Sequence, residues 1–117
     1  MNQTVLITGG SRGLGRHTAL AFGEAGFNVA LCGRTRGDLD EVVQDIIDVG
    51  GSAMRSVVDV RQSSQVQSFV AEVESAMGSV DVLINNAGFS HYKPFVDWSV
   101  DELDEVIDVN LKGTMYT

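Results

Sequence analysis

Apolar residues fall along this chain in short bunches of two alternating kinds. Thr4 to Thr8 (Thr-Val-Leu-Ile-Thr) is an unbroken apolar run ended by glycines, the pattern of a strand buried on both faces. A helix is predicted from about Gly13, with Leu14, Leu20, Ala21 and Phe22 on its inner face and Gly26 closing it. Asn28 to Cys32 predicts a second buried strand. Leu39, Val42, Val43, Ile46 and Ile47 then recur at helical spacing, while Asp38, Asp40, Glu41, Gln44, Asp45 and Asp48 take the other side. Asp38 with Glu41 suits the start of this helix, and Gly50-Gly51 stops it.

The alternation continues. Met54 to Val60 reads as a third strand, and Ser64 with Gln67 as a capping box for a helix striped by Val66, Phe69, Val70, Val73 and Met77, with Gly78 at its end. Val80 to Asn85 is a fourth, mostly apolar strand. Beyond a polar loop, Ser99 with Glu102 caps a helix carrying Leu103, Val106 and Ile107. Strands alternating with helices at this spacing predict an α/β fold, a parallel sheet with helices on both faces. No linker, repeat or low-complexity stretch divides residues 1–117, so one domain is expected. Four strands are about half of a doubly wound sheet, and Asn110 to Thr117 stays helical without a capping signal. The expectation is a truncated domain, a piece of a longer chain.

Composition narrows the function classes. Apolar runs of only a few residues exclude a membrane-spanning helix, and Met1 to Thr4 has no basic region to begin a signal peptide, so a cytoplasmic protein is expected. Cys32 is the only cysteine, which excludes a disulfide framework and a Cys-based metal site, and no metal is expected. The net charge of −8 argues against a nucleic-acid partner. Its distribution is uneven: residues 1–36 sum to +3 and residues 37–117 to −11. The positive charge therefore sits beside the glycine-rich turn after the first strand, where an anionic ligand would need it.

That turn is Gly9-Gly10-Ser11-Arg12-Gly13-Leu14-Gly15, at the handover from strand to helix. Glycines there let the backbone approach a pyrophosphate, and free N–H groups at the helix start point at negative charge. Three phosphate-binding patterns compete. Gly10 to Gly15 has the glycine spacing of an ATP or GTP loop, but Arg16-His17 stands where Lys and a hydroxyl are required. The common Gly-x-Gly-x-x-Gly/Ala fingerprint could begin at Gly13, but its third position is Thr18. Gly-x3-Gly-x-Gly at Gly9, Gly13 and Gly15 remains, and alone it could be a structural turn.

The segment Asn85-Asn86-Ala87-Gly88 closes the fourth strand at the carboxyl edge of the sheet, where open α/β folds bind ligands. Together with Thr8-Gly9-x3-Gly13-x-Gly15, Asp59 after the third strand and Asn110 near the end, it resembles the short-chain dehydrogenase/reductase family over essentially the whole chain. Within the family the chain is most similar to the 3-oxoacyl-acyl-carrier-protein reductase group. The resemblance implies a Rossmann-like doubly wound sheet, here incomplete, with strand order 3-2-1-4. It implies that Thr8, Gly9, Gly13 and Gly15 shape the pyrophosphate turn, with Ser11, Arg12 and Leu14 supplying contacts. Asp59 would bond the adenine amino group with Val60 lending backbone, and Asn86, Ala87 and Gly88 would border the ribose. Asn110 would be the tetrad Asn, holding a water in the proton relay. On the residues alone, Asp59 could equally be a turn residue, Asn85 and Asn86 could satisfy strand-end backbone, and Asn110 could lie on the surface.

An NAD site usually places an acid about 20 residues after the turn, whereas an NADP site brings an Arg to the 2′-phosphate. Here the second strand ends Cys32-Gly33-Arg34-Thr35-Arg36, with no acid until Asp38. With Arg12 in the turn, Arg34 predicts NADP(H) over NAD(H). The family's Ser and its Tyr-x3-Lys are absent: neither Tyr92 nor Tyr116 begins that motif. His17 and His91 read as surface residues. The chain would thus supply the cofactor half of an oxidoreductase acting on a small-molecule carbonyl or secondary alcohol, the parent enzyme being a homo-oligomer. The competing reading is a non-catalytic nucleotide-binding protein that lacks the Ser/Tyr/Lys centre.

Overall fold

The computed structural model describes residues 2–117. Four strands, β1 (Thr4–Thr8), β2 (Asn28–Gly33), β3 (Ser52–Val57) and β4 (Val82–Asn85), form one parallel sheet in the order β3-β2-β1-β4. The expected strand order is the observed one. Between the strands run α1 (Gly13–Glu24), α2 (Arg36–Asp48) and α3 (Ser63–Met77). After β4 come a short 3-10 turn at Phe95–Asp97 and α4 (Val100–Ile107), which continues through a π turn (Asp108–Lys112) into α5 (Gly113–Tyr116).

The two-residue period of β1 and β2 explains why both read as unbroken apolar runs. Val5, Ile7, Val29 and Leu31 point to one face, where Ala19 of α1 and Leu39, Val42 and Ile46 of α2 complete a core. Leu6, Ala30 and Cys32 point to the other face and meet Val66, Phe69 and Val73 of α3. β1 pairs with β2 from Thr4↔Asn28 to Thr8↔Cys32 and with β4 from Val5↔Val82 to Thr8↔Asn85, so both neighbours end level with the turn after β1. β4 is covered on one side only: Val82 and Ile84 pack on the α1–α2 core, whereas Leu83 is 41% exposed.

Several sequence expectations shift, each for a tertiary reason. The inner face of α1 is not built from Leu14 and Ala21, both of which are exposed. It is built from Gly15, Ala19 and Gly23, four residues apart, with Leu20 and Phe22 at its margin. A Cβ on Gly23 would come within 2.9 Å of Ile46, so small residues let α1 and α2 pack closely. Ile47, counted in the apolar stripe of α2, is 48% exposed because that stripe is narrower than its sequence. β3 lies over residues 52–57 and not 54–60, since its partner β2 ends at Gly33, which faces Val57. β4 starts at Val82 and not Val80. β1 begins at Thr4, whose N–H donates to Asp81 Oδ2 (2.8 Å) and whose carbonyl accepts from Asp81 N (2.9 Å). The Ser64–Gln67 capping box is not formed, because α3 begins at Ser63 behind Gln62 without a side-chain cap. The Ser99 cap is formed, with Glu102 N donating to Ser99 Oγ at 3.1 Å.

Adjacent isoleucines of α2 therefore differ in weight. Ile46→Ala, at a fully buried site, is expected to cost about 2–5 kcal/mol. Ile47→Ala should cost less than about 1 kcal/mol. Urea unfolding with an unchanged m-value measures both, and equal losses would contradict this packing.

Candidate cofactor site

Thr8 and Gly9 are held from three sides. Thr8 Oγ1 accepts from the backbone N–H groups of Asn86 (3.2 Å) and Ala87 (3.1 Å), joining β1 to the loop after β4. Asn86 Nδ2 donates to the Gly9 carbonyl at 2.9 Å. On the other side Gly9 N and Gly10 N both donate to the Cys32 carbonyl, at 2.9 and 3.3 Å. The two sides of β1 thus meet at Gly9, bonded to the loop after β4 through its carbonyl and to β2 through its N–H.

Two glycines are required here for different reasons. Gly13 has φ of +51°, a left-handed conformation, yet a Cβ there would meet nothing within 4 Å. Gly15 has no such φ, but a Cβ on it would collide with the Gly9 carbonyl oxygen, a backbone atom that Asn86 already fixes. The start of α1 is also electrically open. Arg12 caps it without a side-chain bond, and the first turn carries no acid, so its positive dipole end has no internal anion.

Above this turn lies a cleft of about 240 Å³ at the carboxyl edge of the sheet. Of the residues expected at the site, Gly9, Ser11, Arg12, Arg34, Asp59, Val60, Ala87 and Gly88 line it. Thr8, Gly13, Gly15 and Asn86 do not line it and shape the turn instead. Leu14, expected to supply a contact, is 76% exposed and does not line the cleft. Sequence reasoning missed Thr35, Val58, Phe89 and Val109, which also line it. Val58 and Val60, expected within the third strand, follow the end of β3 at Val57, where they line the cleft and stay buried.

The charges are unevenly engaged. Asp59 accepts from Arg61 Nη2 at 2.7 Å and from Arg61 Nε at 3.0 and 3.1 Å. This bond holds the Asp59 carboxyl below the ordinary carboxylate range, despite some desolvation. A carboxyl lowered in the folded state stabilises at pH above its unfolded value, about 4, and that contribution is lost as the pH falls through its folded value. Arg12 Nε donates to Asp38 Oδ2 at 2.7 Å. Arg16, Arg36, Arg55 and Arg61 each have a carboxylate within 4.0 Å too, which leaves Arg34 as the one arginine without such a partner among the described residues.

Asn110 sits in the π turn, and its amide makes a pair of hydrogen bonds with the loop after β4: Oδ1 accepts from Phe89 N at 2.9 Å and Nδ2 donates to Phe89 O at 2.8 Å. A Cβ on Gly88 would lie 3.0 Å from Asn110 Oδ1, so the glycine allows this approach. His91 departs from the expected surface position. Its ring packs edge-on to Phe89 (5.4 Å) and Trp98 (5.6 Å). Tyr92 is fully exposed, and neither it nor Tyr116 lines the cleft.

A family model described as short chain dehydrogenase matches residues 3–117. The chain belongs to the short chain dehydrogenase family. Among curated members it is 40% identical over 114 residues to the 3-oxoacyl-(acyl-carrier-protein) reductase FabG of Staphylococcus epidermidis, covering 97% of this chain and 47% of that protein. The ketoacyl reductase HetN of a Nostoc species is 34% identical over 113 residues, with 97% of this chain and 39% of that one covered. Two solved structures superpose closely. An alcohol dehydrogenase from the archaeon Thermococcus sibiricus, complexed with 5-hydroxy-NADP, has a TM-score of 0.95 at 31% identity, covering all of this chain and 50% of that one. A 3-ketoacyl-ACP reductase from Sinorhizobium meliloti has a TM-score of 0.92 at 38% identity, with 97% and 45% covered. The chain spans about half the length of the curated relatives it matches. Among the described residues, no helix is long and apolar enough to cross a membrane.

Two tests follow from this short chain dehydrogenase site. Gly13→Ala should cost about 1–2 kcal/mol through its left-handed backbone alone. Gly15→Ala should cost about 3 kcal/mol or more through overpacking against Gly9. Urea unfolding ranks them, and a milder Gly15→Ala would refute the close approach. Burial pushes the Cys32 thiol up to about 12. At pH 8 it should react with a disulfide reagent only on unfolding, and the protein should lose stability as the pH rises above the ordinary thiol value, about 8.5, toward 12.

Proposed function

We propose that the chain is the cofactor-binding half of an NADP(H)-dependent oxidoreductase that interconverts a carbonyl and a secondary alcohol. The observation that carries the cofactor choice is Arg34: it lines the cleft directly after β2, and it is the only arginine with no carboxylate within 4.0 Å among the described residues. A guanidinium left unpaired beside a cleft suits a phosphate dianion, which an acid at the end of β2 would repel. The solved relative complexed with 5-hydroxy-NADP supports the same choice.

In this reading the open N-terminus of α1 takes the pyrophosphate. Gly9, Gly13 and Gly15 bring backbone to it, Thr8 holds the turn, and Ser11 and Arg12 flank it. Asp59 meets the adenine amino group beside Val60, and Asn86, Ala87 and Gly88 border the ribose. The bound nicotinamide supplies the hydride. Asn110 acts as the tetrad Asn. Its side-chain amide is spent on Phe89, and its backbone carbonyl, which already accepts from Thr114 Oγ1 at 3.0 Å, has a second lone pair to hold the relay water. The proton donor of the family, a Tyr activated by a Lys three residues on its C-terminal side within one helix, belongs to sequence this chain does not contain, as does the Ser that orients the carbonyl.

NADPH is expected to bind the protein more tightly than NADH in a fluorescence titration. Arg34→Ala should remove about 1.5–3 kcal/mol of NADPH binding, roughly ten- to 150-fold, and leave NADH unaffected. Tighter NADH binding, or NADPH binding indifferent to Arg34→Ala, would sink the cofactor assignment. The 117-residue chain alone should not oxidise NADPH, and turnover by it would overturn the division of labour.

A further inference from the structure

Asp38 has no part in the chemistry above, and its position gives it one. It lies in the first turn of α2, where its carboxylate faces the positive end of the helix, and it reaches across to the phosphate turn to accept from Arg12 Nε at 2.7 Å. The pair is the upper rung of a ladder between α1 and α2. One turn along, Arg16 Nη2 donates to Asp45 Oδ2 at 2.6 Å, and Arg16 Nη1 lies 3.9 Å from Glu41. The lower rung lies away from the cleft, whereas Arg12 lines it. The cleft thus holds two arginines in opposite states: Arg34 without a carboxylate, and Arg12 already carrying one.

We infer that Asp38 is an internal rival of the ligand phosphate for Arg12, and so sets how strongly the cleft prefers a 2′-phosphorylated adenosine. The inference rests on the NADP(H) reading of the cleft. Asp38 takes the Nε position, so it breaks the Nε/Nη edge of the guanidinium that a phosphate would grip bidentately. A dianion brought to the remaining nitrogens also meets a carboxylate held against the same cation. Arg12 is 74% exposed and Asp38 33%, so the exchange takes place in water and is of modest size. Arg34 gives the first grip, and Arg12 adds to it only as far as Asp38 releases it.

Calorimetric titration of the protein with adenosine 2′,5′-bisphosphate and with 5′-AMP, at low salt, separates the outcomes. Asp38→Asn should tighten the bisphosphate about two- to fivefold, the range for one exposed ion pair, and leave 5′-AMP unchanged. The gain should vanish in an Arg12→Ala background. Asp38→Ser serves as a second variant with a helix-start side chain, and urea midpoints confirm folding. An unchanged or weakened bisphosphate affinity, or an equal gain for 5′-AMP, overturns the inference while wild-type preference for the bisphosphate leaves the NADP(H) reading intact. A wild-type protein that does not prefer the bisphosphate overturns both.

Discussion

The cleft depends on one close approach, that of Gly15 to the carbonyl of Gly9. The Asn86 amide bonds the carbonyl and itself sits against the Gly15 Cβ position, and Gly9 N is fixed by the Cys32 carbonyl, so there is no room for a side chain. With hydrogen in place of Cβ, the first turn of α1 settles directly on the end of β1. What the turn offers an anion follows from that placement: the direction of the helix dipole, the unpaired first-turn N–H groups and the position of Arg12. The same geometry explains why Thr8 is polar inside an apolar strand. Its hydroxyl is the acceptor that draws the loop after β4 onto the turn.

Packing carries this arrangement outward. The run Gly15, Ala19 and Gly23 keeps α1 low on the sheet and against α2, and the ion pairs of Arg12 and Arg16 hold the two helices in register. Exposed ion pairs of this kind add little to stability, at most about 1 kcal/mol each, so their consequence is positional. They decide which guanidinium is engaged and which is open to the cleft. On the opposite side the Asn110–Phe89 pair joins the π turn to the loop after β4, and Gly113 sits on Val60 so closely that a Cβ would come within 2.7 Å of it. A π turn widens the helix locally, a feature frequent where a helix lends backbone groups to a site.

The apolar surface is equally uneven. Leu83 of β4 and Val100, Leu111 and Met115 of the α4–α5 stretch face outward, while the α1–α2 and α3 faces are closed. β4 has a hydrogen-bonding partner on one edge only, and its last residues are covered from one side.

The alternation of apolar runs and helical stripes, and the glycine spacing after β1, determined by themselves the element order, the parallel sheet and the position of the phosphate turn. Local period and backbone freedom are properties of neighbouring residues, so a single chain states them. The ends of β3 and β4, the small-residue face of α1 and the exposure of Leu14 and Ile47 were set by partners distant in sequence. So was the difference between Arg12 and Arg34, identical side chains beside one cleft. Only the fold brings Asp38 across to one of them and leaves the other without a carboxylate, because an ion pair depends on distances in space that spacing along the chain does not encode.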